Sequence, residues 1–184
     1  MIKSIIISLP SFFEGEATAI SAFCHSFIDA VHLRKPECTE AQMEALIEQI
    51  DPMCRKKLVL HSHYHLVRKY GLKGVHFNKK KLEDSELTTY TDVQCSYSAH
   101  SLAEIEALCN HGFAYFFLSP VFDSISKLGY GANINLDEVK AFCKKHPSQI
   151  LIALGCITPK HYLVLQENGF RGLAYLGYCW QMRR

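Results

Sequence analysis

Ser124, Ser126 and Lys127 follow one another closely in Ser119-Pro120-Val121-Phe122-Asp123-Ser124-Ile125-Ser126-Lys127, directly after the apolar run Phe113–Leu118. Short hydroxyl side chains donate to phosphate oxygens without blocking approach, and a lysine supplies the compensating charge. The apolar run reads as a buried strand, and phosphate chemistry in α/β proteins collects where strands give way to loops. Hydroxyls and lysines are also ordinary loop residues, so the stretch gains meaning only if other strand ends carry similar chemistry.

They do. The expected second strand ends at His32, Arg34 and Lys35, and the third at His61-Ser62-His63-Tyr64-His65. The fourth leads to Asn78-Lys79-Lys80-Lys81, the fifth to Ser96-Tyr97-Ser98-Ala99-His100-Ser101, and the seventh to Gly155-Cys156-Ile157-Thr158. Cations and hydroxyls dominate and carboxylates are scarce, which suits an anionic, phosphorylated ligand better than a sugar or a cation. Plainer readings stand beside this one. Arg34-Lys35 could be a solvated pair, Gly155 a turn glycine, and His76 a satisfied core histidine. His61, His63 and His65 alternate as a metal cluster on a strand would, but they lack a further zinc-type ligand and a helix starts here, so no metal ligand is assigned.

The elements that must carry these loops recur as short β-branched runs followed by helical patterns. Strands are expected at Lys3–Ser8, Ile28–Leu33, Lys57–Leu60, Gly74–Phe77, Val93–Tyr97, Tyr115–Leu118, Ile150–Leu154 and Gly172–Leu176, with helices at Thr39–Ile50, Ser101–Asn110, Leu136–Lys145 and Pro159–Asn168. Thr39 with Gln42 and Ser101 with Glu104 carry the capping-box pattern. Strands apolar on both faces point to a parallel sheet, and eight of them favour a single (β/α)₈ TIM barrel of the α/β class over residues 1–184. The chain is just below the usual length for that barrel. Only Gly177–Arg184 remains for a minimal eighth helix, which leaves barrel surface that a homodimer contact could cover.

A formal charge of +2 is too small to argue for nucleic acid, and no segment is long enough to span a membrane. The apolar start Met1–Pro10 reads as a first core strand rather than a signal peptide, and the eight cysteines without a C-x-x-C pair read as reduced thiols. Both readings place the chain in the cytoplasm.

Taken in order, His32-Leu33-Arg34-Lys35, Gly74-Val75-His76, Ser96–Ser101, Pro120–Lys127, Ile152–Ile157 and Gly172-Leu173-Ala174 resemble the thiamine phosphate synthase and TenI family across nearly the whole chain. The resemblance implies a transferase of thiamine biosynthesis. It couples hydroxymethylpyrimidine diphosphate with thiazole phosphate and releases diphosphate, through a pyrimidine carbocation captured by the thiazole nitrogen. It further implies that Arg34, Ser98 and Lys127 hold diphosphate, with Arg34 and Lys127 as catalytic groups, and that His32 and Lys35 contact substrate. Ser124, Ser126 and the amides of Gly155 and Cys156 would hold thiazole phosphate, completed by main-chain groups of Leu176 and Gly177.

The departures bear on the metal. An asparagine–aspartate pair of the family is replaced by His61-Ser62, and a second aspartate falls at or near Lys81. Those aspartates hold Mg²⁺ in the family, so Mg²⁺ is implied while its usual ligands are missing; serine and a protonated lysine are poor substitutes. The family's Arg-x-Lys has become Arg34-Lys35-Pro36, its second glycine after the seventh strand is Cys156, and a phosphate-binding serine is Gly177. Two alternatives follow. One is a TenI-like thiazole phosphate isomerase, although Pro120 stands where that branch has a histidine, leaving His61 or His100 as the candidate base. The other is a catalytically reduced paralogue that binds thiamine intermediates.

Overall fold

The computed structural model describes residues 3–83, 87–122 and 134–181. Eight parallel strands pair in sequence order and close: β1 (Lys3–Ile7), β2 (Ala30–Leu33), β3 (Leu58–Leu60), β4 (Gly74–Phe77), β5 (Gln94–Ala99), β6 (Tyr115–Leu118), β7 (Leu151–Ala153) and β8 (Gly172–Tyr175), with β8 returning to β1. The helices are α1 (Glu16–Cys24), α2 (Glu40–Gln49), α3 (Leu66–Lys69), α4 (Lys79–Glu83), α5 (Leu102–Leu108), α6 (Leu136–Lys145), α7 (Tyr162–Glu167) and α8 (Gly177–Gln181). The fold is the expected (β/α)₈ barrel, and α8 is indeed minimal.

Side chains alternate across each strand, so each strand has one face toward the helices and one toward the barrel interior. Ile6, Val31, Leu33, Leu58, Leu60, Val75, Phe77, Phe116 and Leu118 join the larger cluster between sheet and helices. Their neighbours Ile5, Ile7, Ala30, Val59, Tyr115, Phe117, Ile152 and Ala174 form a second, smaller cluster inside the barrel. β2 adds His32 to this interior, and the inward positions of β4 and β5 carry His76, Ser96 and Ser98, so the interior is partly polar.

Several boundaries differ from expectation. β2 begins at Ala30 because Asp29 turns back onto β1: its N–H donates to the Ser4 carbonyl at 2.8 Å, and its carboxylate accepts from the Ser4 N–H at 2.8 Å. β5 runs on to Ala99, which places Ser98 on the strand rather than in the following loop. Helix α1 was not foreseen; it starts after Gly15, whose φ of 77° lies in the left-handed region. The expected helix Pro159–Asn168 is a 3₁₀ turn, Pro159–His161, leading into α7.

The caps follow the sequence. Thr39 and Gln42 form a complete capping box. The Ser101 hydroxyl accepts from the Glu104 N–H, but Glu104 reaches back to the His100 N–H and accepts the Tyr97 hydroxyl. At the closing end of the barrel the buried Trp180 donates its indole N–H to the Ile7 carbonyl at 2.8 Å and packs edge-on against Phe13 and Phe23. Part of the surface expected to lack cover is therefore covered from within the chain. No disulfide links the cysteines, and among the described residues no helix is long and apolar enough to cross a membrane.

Candidate functional site

A cavity of about 1140 Å³ opens at the carboxyl ends of the strands. Arg34, His61, Lys81, Ser98, His100, Gly155, Cys156, Leu176 and Gly177 all line it, drawn from loops more than a hundred residues apart in sequence. No carboxylate stands among its described lining residues. A cationic rim in a concave, partly apolar wall focuses positive potential on an entering anion. Ser124, Ser126 and Lys127 lie outside the described residues.

Arg34 is positioned through its backbone. Its N–H donates to the buried Ser8 hydroxyl at 2.9 Å, and that hydroxyl donates to the Arg34 carbonyl at 3.3 Å. The guanidinium is left exposed at the mouth, and among the described residues it has no hydrogen-bond partner.

Lys35 has a different place from the one expected of a diphosphate ligand. Its Nζ donates to the Leu9 and Ser11 carbonyls at 2.8 Å each and to both Glu16 oxygens at 2.6 and 2.8 Å. An ammonium has three protons, and these contacts use them all. The physical reason is parity. Where the chain is extended, adjacent side chains point to opposite sides, so the lysine directly after Arg34 borders the cavity but sends its buried ammonium toward α1. Burial raises the pKa of Glu16, and the bond from Lys35 works in the opposite direction.

His32, expected to contact substrate, is fully buried beneath the mouth. Its Nδ1 lies 2.9 Å from His61 Nε2, and its Nε2 lies 2.8 Å from the Tyr115 hydroxyl. His76 bonds through Nδ1 to Ser96 Oγ at 2.8 Å and through Nε2 to Ser98 Oγ at 2.7 Å. The rings of His61 and His76 stack at 4.3 Å, and Phe117 packs against both His32 and His76. Burial holds the pKa values of His32 and His76 well below 6.5, and burial together with the Arg34 charge brings His61 down to about 3. All three are therefore neutral imidazoles at neutral pH. Ser98, expected to hold diphosphate, reaches the cavity while bonded to this group.

The local histidine trio, by contrast, disperses. His63 adopts a φ of 51° and its Nε2 donates to the Cys38 carbonyl at 3.0 Å, while the exposed His65 pairs with Glu40 at 3.0 Å. Residues 61–65 form no strand, so their alternation has no common face to act on. The histidines that do meet come from three successive barrel strands and their ends. His76, Ser96 and Tyr115 were missed as a site; their inward parity with Ala30, Val59 and Phe117 was the available signal.

Gly155 and Cys156 form a tight turn against the loop after β6. Gly155 has a φ of 108°, and a Cβ there would stand 2.9 Å from Pro120 Cα and 3.1 Å from Val121 N. Only glycine allows that approach. Cys156 keeps a left-handed φ of 49°, so the backbone retains a glycine-like shape although the residue is not glycine. Across the mouth, Leu176 is exposed and Gly177 opens α8. His100 is oriented by its ring Nδ1, which lies 2.9 Å from the Ser119 carbonyl.

Comparison with known proteins agrees with this architecture. The model of the thiamine monophosphate synthase family matches residues 7–177. A thiamine-phosphate synthase of Bacteroides fragilis is 23% identical over 176 residues, which cover 91% of this chain and 84% of that protein. Among solved structures, a thiamine phosphate pyrophosphorylase from Bacteroides thetaiotaomicron superposes with a TM-score of 0.82 at 28% identity, covering 98% of this chain and 85% of the other. The thiamine phosphate pyrophosphorylase of Pyrococcus furiosus shares the fold, with a TM-score of 0.73 at 15% identity over 95% of this chain and 85% of its own. The match spans almost the whole barrel and every loop of the mouth, and the chain belongs to the thiamine monophosphate synthase family.

Proposed function

We propose that this chain is a transferase that joins hydroxymethylpyrimidine diphosphate to thiazole phosphate. The bond between the pyrimidine methylene carbon and the diphosphate oxygen breaks, and its electron pair leaves with diphosphate. The thiazole nitrogen lone pair then forms the new carbon–nitrogen bond. The observation that carries the reading is a family-wide match whose mouth is rimmed by Arg34 and Lys81 with no described carboxylate facing them. Charge developing on the leaving diphosphate is stabilised by Arg34 and Lys81, with Lys127 as a further contact. Ser124, Ser126 and the turn at Gly155 and Cys156 receive the thiazole phosphate, and the apolar wall around Phe117 and Leu176 aligns the rings.

The family implies Mg²⁺, and the described lining does not fit it. Mg²⁺ favours carboxylate oxygens, whereas the positions where the resemblance implies them, His61, Ser62 and Lys81, offer imidazole, hydroxyl and ammonium. No step is therefore assigned to that ion.

The transfer needs no proton acceptor, which suits a mouth whose His61 is a weak base with a pKa of about 3. A second reading, isomerisation of thiazole phosphate, rests on His100, whose bond to Ser119 through Nδ1 leaves Nε2 as a lone pair at the cavity. Diphosphate release from the purified protein separates the readings. The transferase requires both substrates, loses activity in Arg34→Ala and keeps it in His100→Gln. Conversion of thiazole phosphate alone, abolished in His100→Gln, would replace it with the isomerase. Binding of both compounds without turnover would leave a binding protein.

A further inference from the structure

The carboxylate-free donor set that suits Mg²⁺ poorly has another use. His32, His61 and His76 each offer a ring nitrogen, and these atoms all lie within 4.8 Å of one another. We propose that these three histidines form a binding site for a zinc-type divalent transition metal at the floor of the barrel mouth. Imidazole nitrogen is the preferred donor of such ions, and three histidines with one open position is a recurring catalytic arrangement.

The geometry supports this beyond proximity. Zinc–nitrogen bonds of about 2.0–2.1 Å around a tetrahedral centre need donor atoms roughly 3.4 Å apart. His32 Nδ1 and His61 Nε2 are now 2.9 Å apart, so modest ring rotations open the required space. The outer partners of the two buried ligands are already in place. With Nδ1 on the metal, His32 donates its Nε2–H to Tyr115, 2.8 Å away. With Nε2 on the metal in place of its present 2.7 Å bond to Ser98, His76 donates its Nδ1–H to Ser96, 2.8 Å away. Such contacts fix ring orientation in metal sites. Tyr115, Ser96 and His76 are register neighbours across β4, β5 and β6, so the barrel itself holds this outer layer.

The fourth position faces outward. His61 and His76 line the cavity, as does Phe117, which packs against His32 and His76, whereas His32 itself is fully buried beneath it. An ion held here would present its open position to water or to a phosphate oxygen entering the mouth. The site does not depend on which phosphorylated compound the mouth accepts.

A different group, His25, Asp51 and Cys54, also brings possible ligands together and supplies the control. The test uses full-length protein stripped with chelator and titrated with Co²⁺, whose visible ligand-field bands report the donors. One equivalent is expected to bind with a spectrum of nitrogen donors at low coordination number, and Zn²⁺ should abolish it by displacement. His61→Gln should weaken binding more than about a hundredfold, and Tyr115→Phe by about 10–100-fold, while His25→Gln leaves it unchanged. His61 is only partly buried, so its variant tests the site even if His32 variants fail to fold. Absence of a bound equivalent, equal affinity in His61→Gln, or loss of binding only in His25→Gln would overturn the proposal.

Discussion

His32 Nδ1 and His61 Nε2 share a hydrogen bond of 2.9 Å inside the barrel, with His61 forming part of the mouth and His32 none of it. The bond requires one ring to donate and the other to accept, which neutral imidazoles do and a doubly protonated pair does not. The floor of the site is therefore sensitive to protonation before any ligand arrives.

Acid should loosen the fold in a window set by these histidines. Their native pKa values lie below the ordinary 6.5, with His61 near 3, so the unfolded chain takes up protons first as pH falls. Stability from this source is intact above about pH 6.5 and is lost progressively toward pH 3. Carboxylates such as Asp51 and Glu106, whose pKa values are lowered, add to the loss only from about 4.5 downward. Urea midpoints measured between pH 7.5 and 5 should decline, and less steeply in His61→Asn. A flat profile over that interval would refute the assignment.

Lys35→Met is expected to act on folding. It leaves the Glu16 carboxylate buried without its cation, a change that costs about 3–5 kcal/mol. Adding Glu16→Leu should recover most of the loss, because the remaining pair is apolar and similar in volume. Chemical denaturation distinguishes this from a ligand-contact role, in which Lys35→Met would remain stable and lose affinity alone.

The turn after β7 yields a pair of opposite outcomes. Gly155→Ala forces a side chain into a φ of 108° and against Pro120, and should cost about 1–3 kcal/mol with weaker binding of thiazole phosphate. Cys156→Gly relieves a left-handed residue at φ 49° and should be neutral or stabilising by up to about 1 kcal/mol. Thermal unfolding and calorimetric titration read both.

Trp180→Ala should cost about 3–5 kcal/mol, since it removes a buried ring from Phe13 and Phe23 and orphans the Ile7 carbonyl. Trp180→Phe keeps most of the packing and should lose about 1 kcal/mol for the missing hydrogen bond. Equal stability of the two variants, measured by urea unfolding, would show that the ring packing contributes little.

The barrel was legible because its signal is local and repeated: β-branched runs and capping pairs such as Thr39 with Gln42. Boundaries were less so, since Asp29 leaves the strand and Ser98 joins one through backbone pairings with segments distant in the chain. Arg34 and the turn at Gly155 were readable from their order along the chain. Helix α1 was missed because its apolar content gives little periodic contrast, and with it went Glu16, the partner that holds the Lys35 ammonium.

The sequence by itself determined the periodicity that builds eight strands, the cationic character of the loops and the family to which they belong. Tertiary structure alone decided which histidines meet. His61, His63 and His65 are neighbours in the chain but diverge, because a turn gives each a different direction. His32, His61 and His76 are separated in the chain but converge, because strand pairing and the two-residue alternation of β2 and β4 aim them into one interior. Spacing along a chain fixes direction only within a regular element; between elements, the closure of the barrel does so.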